Sequence, residues 1–542
     1  METTNLSKIK RDKMLETINE IKKNITDEET LTNLSMIENE LTKKKYGLIW
    51  EEHEERVDKE LETQIPTFEE IKDKKIISNK DEKFNFLLEG DNLHSLYLLK
   101  KTHKGKIDCI YIDPPYNRGK NDFIYNDNYV VEEDGYKHSK WLSFMKKRLE
   151  IAKILLSKKG LIFISIDDYE VAQLKLLCNE VFGEENFINQ FVWQRNSSGK
   201  TEKDKFTVNT EYILLYSNTE QYELNPAYKP LAESSQKMYN KDDNDGRGKY
   251  ATVSLQKPRD PGPETTYDYI DNNGRVWSCP PKGWRMVYSK IKALENDNRL
   301  YFEGKSLRVK DYWNERENAG KRIDTLWNDL SENNVGSKEL SVLFNGKIVF
   351  DNPKPTDLIK RCIQICQKDC TVLDFFAGSG TTAQAVLNLN SEDKGSRKFI
   401  LCTNNENNIC ENVTYNRIKT INTGNSKIEP TKLNLKYYRC TYIPRINTEE
   451  ENLHSNLLIN IKNLIQLENG IEIDDNKIRI YLDEDELDEF TKDTESLNAC
   501  DKVYISSDIL LTSEQEEIFA DNNIEVFIIP EYYFEDEIKE VL

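Results

Sequence analysis

The chain has 542 residues, 32% of them charged and 37% hydrophobic, with a formal net charge of −20. That length exceeds one ordinary domain and implies roughly three or four compact units. No apolar run approaches about 18 residues, which excludes a membrane-spanning helix, and the opening METTNLSKIKRDKMLETINE lacks the apolar core of a secretory signal.

Residues 1–83 are polar and rich in Lys and Glu, and LETINEIKKNI and TNLSMIENELTKKKYGLI carry helical spacing. A helical N-terminal region is expected there. From FNFLLEGDNLHSLYLL onward the pattern becomes strand, turn, helix. KIDCIYI, GLIFISI, NQFVWQ and EYILLYS read as strands, and the amphipathic segment KWLSFMKKRLEIAKILL reads as a helix between the first two. Strand alternating with helix predicts a parallel α/β sheet. Residues 219–344 break that rhythm with irregular stretches such as KPRDPGPETTYDYIDNNGRVW. The α/β pattern resumes over 345–430 with TVLDFFAGSGTTAQAVLNL and KFILCTNNEN. One sheet over 84–218 and 345–430, interrupted by an inserted domain, accounts for this order, with a separate acidic module over 431–542.

Charge is distributed unevenly. Residues 431–542 sum to about −17, whereas 191–350 sum to about +2 and include PPKGWRMVYSKIK. Distant charges are screened within about 10 Å, so a local basic surface can still attract phosphate. The ten cysteines form no CxxC pair. Cys362, Cys366 and Cys370 are expected on one face of a helix in LIKRCIQICQKDC, as small buried hydrophobes; with no histidine beside them, a metal site is not expected. A reducing cytoplasm is the expected setting.

Two motifs carry chemistry. In VLDFFAGSGTT a short strand ending at Asp374 enters a Gly-rich turn and then a helix. Gly378 and Gly380 admit close backbone approach by a ligand, and the helix start offers free N–H groups. The turn lacks the lysine of a phosphate-cradling P-loop. Glu406, roughly 30 residues beyond Asp374, suits a carboxylate that grips ribose hydroxyls at the next strand tip. In KIDCIYIDPPYNRG, Asp113 stands just past a strand end, Pro114 and Pro115 stiffen the loop, and Tyr116 offers a flat face. Two acceptors and a stacking ring suit a planar heterocycle bearing an amino group.

Together, DPPYN and DFFAGSGTT resemble the amino-methylating DNA methyltransferases that use S-adenosylmethionine. The motif order resembles the group that includes the Mod subunits of type III restriction–modification systems. LLEGDNLHSL, GLIFISIDD, NTEYILLYS, KPTDLI and FILCTNNENN extend the resemblance over roughly 84–218 and 345–430. It implies a Rossmann-like methyltransferase sheet with an inserted target-recognition domain, a helical N-terminal region and an acidic C-terminal domain for oligomerisation or partner binding.

The resemblance further implies that Asp374, Phe375, Phe376, Ala377, Gly378, Gly380 and Thr381 cradle the cofactor. Glu406 would meet its ribose, Lys354 and Thr356 its methionine end, and Asp91 its adenine edge. Asp113 and the Pro114 carbonyl would bind the N6 amine of an adenine flipped from duplex DNA, next to Pro115, with Tyr116 stacked on the base. Related enzymes acting on cytosine N4 commonly carry Ser at the position of Asp113, and those acting on glutamine carry Asn, so adenine is the expected target. A cytosine-N4 enzyme, a stand-alone adenine methyltransferase, and an RNA or protein methyltransferase are the alternatives. Double-stranded DNA, a second copy of the chain and a restriction subunit bearing ATPase and nuclease functions are the implied partners; no metal is needed.

Overall fold

The computed structural model describes residues 6–42, 50–80, 82–119, 122–125, 128–198, 206–229, 237–259, 262–304, 306–315, 321–444, 450–473 and 476–530. The end of the WQRNSSGK loop and the acidic segment 531–542 lie outside them. At the centre is a ten-stranded sheet. Its first five strands are β1 (Gln64–Glu70), β2 (Asn85–Glu89), β3 (Ile107–Ile112), β4 (Leu156–Ile166) and β5 (Phe187–Gln194). The others are β6 (Thr210–Ser217), β7 (Leu326–Trp327), β8 (Thr371–Asp374), β9 (Lys398–Thr403) and β10 (Leu435–Pro444). In space they run β1-β10-β2-β9-β8-β3-β4-β6-β5-β7.

The strands from β10 to β4 are parallel. Strand β6 runs antiparallel to β4 and β5, and β1 antiparallel to β10. The sheet is therefore mixed, where alternation alone predicts a parallel one. A parallel neighbour needs a crossover, usually a helix, and the chain between β5 and β6 has no helix among the described residues, so β6 returns beside β5 in the opposite sense.

Period-two alternation divides each central strand between two cores. Ile110 and Ile112 of β3 join Ile400 and Cys402 of β9 on one face. Cys109 and Tyr111 join Phe399 and Leu401 on the other. The first face is covered by α1 (Asn92–His103), α2 (Lys137–Leu155) and α3 (Val171–Phe182) through Leu96, Trp141, Met145, Leu149 and Leu174. The second is covered by α4 (Thr356–Gln364), α5 (Thr381–Asp393) and α6 (Asn416–Thr423) through Leu358, Val386, Leu389 and Ile418. Each such side chain contributes about 1.5–3 kcal/mol by leaving water. Burial on both faces explains why these strands read as continuous apolar runs.

The sheet draws on residues beyond 84–218 and 345–430. Strand β10 lies between β1 and β2, and the helix Glu450–Asn469 adds Ile461, Leu464 and Ile465 to the first core. Strand β7 pairs with β5 well before residue 345. The insert proper has its own antiparallel strands, Tyr250–Ser254, Leu300–Glu303 and Ser306–Tyr312, over a core containing Tyr269, Trp277, Trp284 and Ile291. The acidic tail forms a parallel three-stranded sheet, Ile478–Tyr481, Lys502–Ile505 and Glu525–Ile528, packed on Leu487, Phe490 and Phe519.

Cys362 lies on α4, but that helix stops at Gln364 and leaves Cys366 and Cys370 in the following turn. Asn225 ends it, donating its backbone N–H to the Ile365 carbonyl at 2.8 Å and its side-chain amide to that of Cys366 at 2.6 Å. All three thiols are buried in the second core. Among the described residues no helix is long and apolar enough to cross a membrane.

Candidate active site

Strands β3 and β8 are parallel neighbours, with Val372 opposite Cys109 and Leu373 opposite Ile110. Their carboxyl ends therefore emerge on the same edge, one strand spacing of about 4.8 Å apart. From β3 the chain continues to β4 on one side, and from β8 to β9 on the other. Open α/β sheets place ligands at such a point of reversal.

At the β8 tip Asp374 is buried. Its carboxylate accepts the Phe376 N–H at 3.0 Å and the Thr382 hydroxyl, and burial pushes its pKa up to about 7. It thus braces the turn from beneath. Gly378 and Gly380 adopt φ of +48° and +76°, where a side chain is strained. A Cβ on Gly380 would sit 3.0 Å from Thr414 Cγ2. Behind the turn the buried Arg417 donates to Ser379 Oγ at 3.0 Å and Thr381 Oγ1 at 2.7 Å. Burial pulls this guanidinium down to about 10.

At the β3 tip the loop is held from several sides. Trp141 Nε1 donates to the Pro115 carbonyl at 2.6 Å, and Asn117, at φ +58°, donates to Glu170 Oε1 at 2.5 Å. Tyr116 is not an open platform: it is 6% exposed, and the Arg118 guanidinium lies 4.8 Å from its ring centroid. Its hydroxyl donates to Asp113 Oδ1 at 2.7 Å and accepts from Lys354 Nζ at 2.7 Å. Asp113 Oδ2 has no protein hydrogen bond among the described residues.

A cavity of about 420 Å³ spans both tips. Asp113 and Pro115 line it from β3, and Phe375, Phe376 and Gly378 from β8. Glu406, exposed in the turn after β9, adds a carboxylate. So does Asp91, which caps α1 by accepting Leu93 N–H at 2.8 Å. Ala377, Thr381 and Asp374 line a narrower recess that continues from Asp113.

Two residues expected at the methionine end have protein partners, and Lys354 also lines the narrower recess beside Gly378 and Thr381. Lys354 Nζ is buried against Asp113 Oδ1 at 3.0 Å and Glu211 Oε2 at 3.3 Å. Thr356 directs both its N–H and its hydroxyl at Glu339 Oε2, at 3.0 and 2.7 Å. Sequence reasoning missed Glu211, whose signal was a lone carboxylate at the start of the apolar strand EYILLYS. Although burial opposes its charge, Lys354, Arg195 and Arg118 hold Glu211 below the ordinary carboxylate range. Burial likewise opposes the Lys354 charge, and Asp113 and Glu211 outweigh it, so the ammonium is held above its ordinary value. Also missed were Asn92, which donates to the Phe375 carbonyl at 2.9 Å, and Phe350, which lines the cavity.

Residues 107–414 match the family model for DNA methylases. The chain is 37% identical over 373 residues to the type III restriction-modification enzyme StyLTI Mod subunit of Salmonella typhimurium, an alignment covering 62% of this chain and 55% of that protein. It is 37% identical over 355 residues to the type II methyltransferase M.KpnI of Klebsiella pneumoniae, covering 61% of this chain and 83% of that one. A solved PvuII DNA methyltransferase (cytosine-N4-specific) aligns at TM-score 0.32 and 15% identity, over 60% of this chain and 85% of that one. The chain thus spans about half the length of the StyLTI subunit. It belongs to the DNA methylase family.

Proposed function

Taking this member of the DNA methylase family as the premise, we propose that the protein transfers a methyl group from S-adenosylmethionine to N6 of adenine in double-stranded DNA. The observation that carries the reading is the single cavity joining the Gly-rich turn to Asp113. Its residues fit the cofactor: backbone unobstructed by a Cβ atom at Gly378, aromatic walls at Phe375 and Phe376, and carboxylates at Asp91 and Glu406 suited to amine and hydroxyl groups. When bound, S-adenosylmethionine supplies an electrophilic methyl group.

The protein's task is to present the nucleophile. An adenine amine lies inside the duplex, so the base must be flipped out, at a cost of a few kcal/mol. Asp113 Oδ2 is the open acceptor for one N6 proton, and the Pro114 carbonyl supplies a second acceptor. Their hydrogen bonds orient the nitrogen lone pair and stabilise positive charge as it develops there. An amine that gains a methyl group must shed one proton, and the Asp113 carboxylate would be placed to take it. Positioning and electrostatics supply the rate. For Tyr116 to stack on the base, Arg118 must first leave its ring.

Adenine is favoured over cytosine because the chain resembles Mod subunits and Asp113 stands where cytosine-specific relatives carry Ser. The insert is assigned to target recognition. The partners proposed are a second copy and a restriction subunit, by analogy with the Mod-named relative. Incubating the purified protein with tritiated S-adenosylmethionine and unmethylated duplex DNA, then digesting to nucleosides, tests the reading. Labelled N6-methyldeoxyadenosine is expected. Labelled N4-methyldeoxycytidine would reassign the base, and label in RNA or protein alone would overturn the proposal.

A further inference from the structure

The strand β3 loop, the start of β6 and the segment before α4 bring Asp113, Tyr116, Glu211 and Lys354 into one contact network. From this geometry we infer that Lys354 is a positioning residue for the acceptor carboxylate Asp113, anchored by Glu211, and not a cofactor ligand. The assignment rests on the methyl-transfer reading above.

Donor counting carries it. A lysine ammonium has three protons, and Lys354 Nζ has three acceptors around it: Tyr116 Oη at 2.7 Å, Asp113 Oδ1 at 3.0 Å and Glu211 Oε2 at 3.3 Å. These three contacts engage the ammonium on the Asp113 side of the recess it lines, and the side chain is only 8% exposed. Asp113 Oδ1 in turn accepts a hydrogen bond from the Tyr116 hydroxyl and pairs with the Lys354 ammonium. With one oxygen saturated from two directions, rotation of the carboxylate is fixed, and Oδ2 is the oxygen left to meet an amine.

The network extends behind the site. Arg195 Nη1 contacts Glu211 Oε1 at 2.8 Å, and Arg118 reaches Glu211 Oε1 at 3.6 Å and Asp167 Oδ2 at 2.6 Å. Three carboxylates thus face three cations, and the network is charge-balanced only with Lys354 in place. A buried ion pair is also a poor means of adding stability, because desolvation opposes it. What the cluster supplies is orientation. Pro353 and Pro355 flank Lys354 and restrict its backbone, so its stem is aimed before any ligand arrives.

Lys354→Met keeps the length of the stem and removes the donors. The measurements are methyl transfer to unmethylated amplified duplex DNA at saturating S-adenosylmethionine, and equilibrium binding of S-adenosylmethionine alone. A fall in kcat of about 100-fold is expected, the scale of a misaimed catalytic group, with the cofactor Kd within about threefold of wild type. Lys354→Arg, which keeps the charge and donors, is expected to recover part of the lost kcat. A cofactor Kd raised about tenfold or more, with kcat preserved at saturation, would make Lys354 a cofactor ligand and overturn the inference. Unchanged kcat and Kd would overturn it equally. If Lys354→Met does not fold, Tyr116→Phe decides by the same split, since it removes only the hydroxyl that links Lys354 to Asp113. A wild-type protein that methylates no DNA would instead sink the underlying reading.

Discussion

Asn117 donates its side-chain amide to Glu170 Oε1 at 2.5 Å, tying the DPPYN loop to the start of α3. Glu170 is fully buried, and its second oxygen and Asn117 Oδ1 have no partner among the described residues. Burial is the main cause that pushes the Glu170 carboxyl up to about 8, against the opposing effects of Asn117 and Lys137 and with Asp167 reinforcing it. His138 Nδ1 lies 2.6 Å from Oε1, and burial, reinforced by Lys137, holds that imidazole below its ordinary value. The folded state therefore binds a proton that the unfolded state releases near pH 4.5. The associated stability is complete below that value and is lost as pH rises toward 8. Chemical denaturation at about pH 5 and about pH 8 is expected to show a wild-type protein less stable at the higher pH. Glu170→Gln, which keeps a neutral polar side chain, is expected to reduce that difference.

Removing the acceptor carboxylate separates chemistry from cofactor binding. Asp113→Ala deletes the group proposed to meet the N6 amine while leaving Asp91, Phe375, Phe376 and Glu406 on the cavity wall. Methyl transfer is expected to fall by about 10³-fold, the scale of losing a preorganised charge-stabilising group. The S-adenosylmethionine Kd is expected to stay near the wild-type value in a calorimetric titration. Robust transfer by the variant would refute the assignment.

Glu406 tests the opposite corner of the cavity. It is exposed at the cavity rim, so Glu406→Gln should leave the unfolding midpoint unchanged. If it grips ribose hydroxyls, the cofactor Kd rises by about tenfold, roughly the value of one charge-assisted hydrogen bond. At saturating cofactor, kcat is expected to be preserved. An unchanged Kd would remove Glu406 from the cofactor site.

Gly380 is where the turn least tolerates a side chain. Its φ of +76° and the 3.0 Å separation between Thr414 Cγ2 and a methyl group at this position both oppose Gly380→Ala. A loss of about 1–2 kcal/mol in stability is expected from the left-handed backbone alone. Cofactor affinity is expected to fall as well, because Thr414 also donates to the Gly378 carbonyl at 2.6 Å and cannot move without disturbing the turn. Urea denaturation and a cofactor titration on the same preparation check both effects.

Much of the site was legible in the sequence because turns are local. The apolar run Ile107–Ile112 stopping at Asp113 and two prolines, and the strand Thr371–Asp374 stopping at a Gly-rich turn, are each specified by residues adjacent in the chain. The insert was likewise visible from its loss of strand–helix rhythm. The partners of Lys354 and Thr356 were not legible for the converse reason: a short motif names residue types, but their contacts come from elsewhere in the fold.

Tertiary structure alone decided that β8 lies beside β3, although the two strands are far apart along the chain. It alone carried Lys354 to Tyr116 across 238 residues, and Glu211 to Tyr116 across 95. It also placed β10, beyond the expected end of the sheet, between β1 and β2. Strand neighbours are chosen by the burial of two apolar faces at once, with only a slowly growing entropic cost for closing longer loops. Spacing along the chain carries little of that information. A local motif can therefore announce a strand tip and its chemistry, but only the packed sheet determines which tips share a cavity.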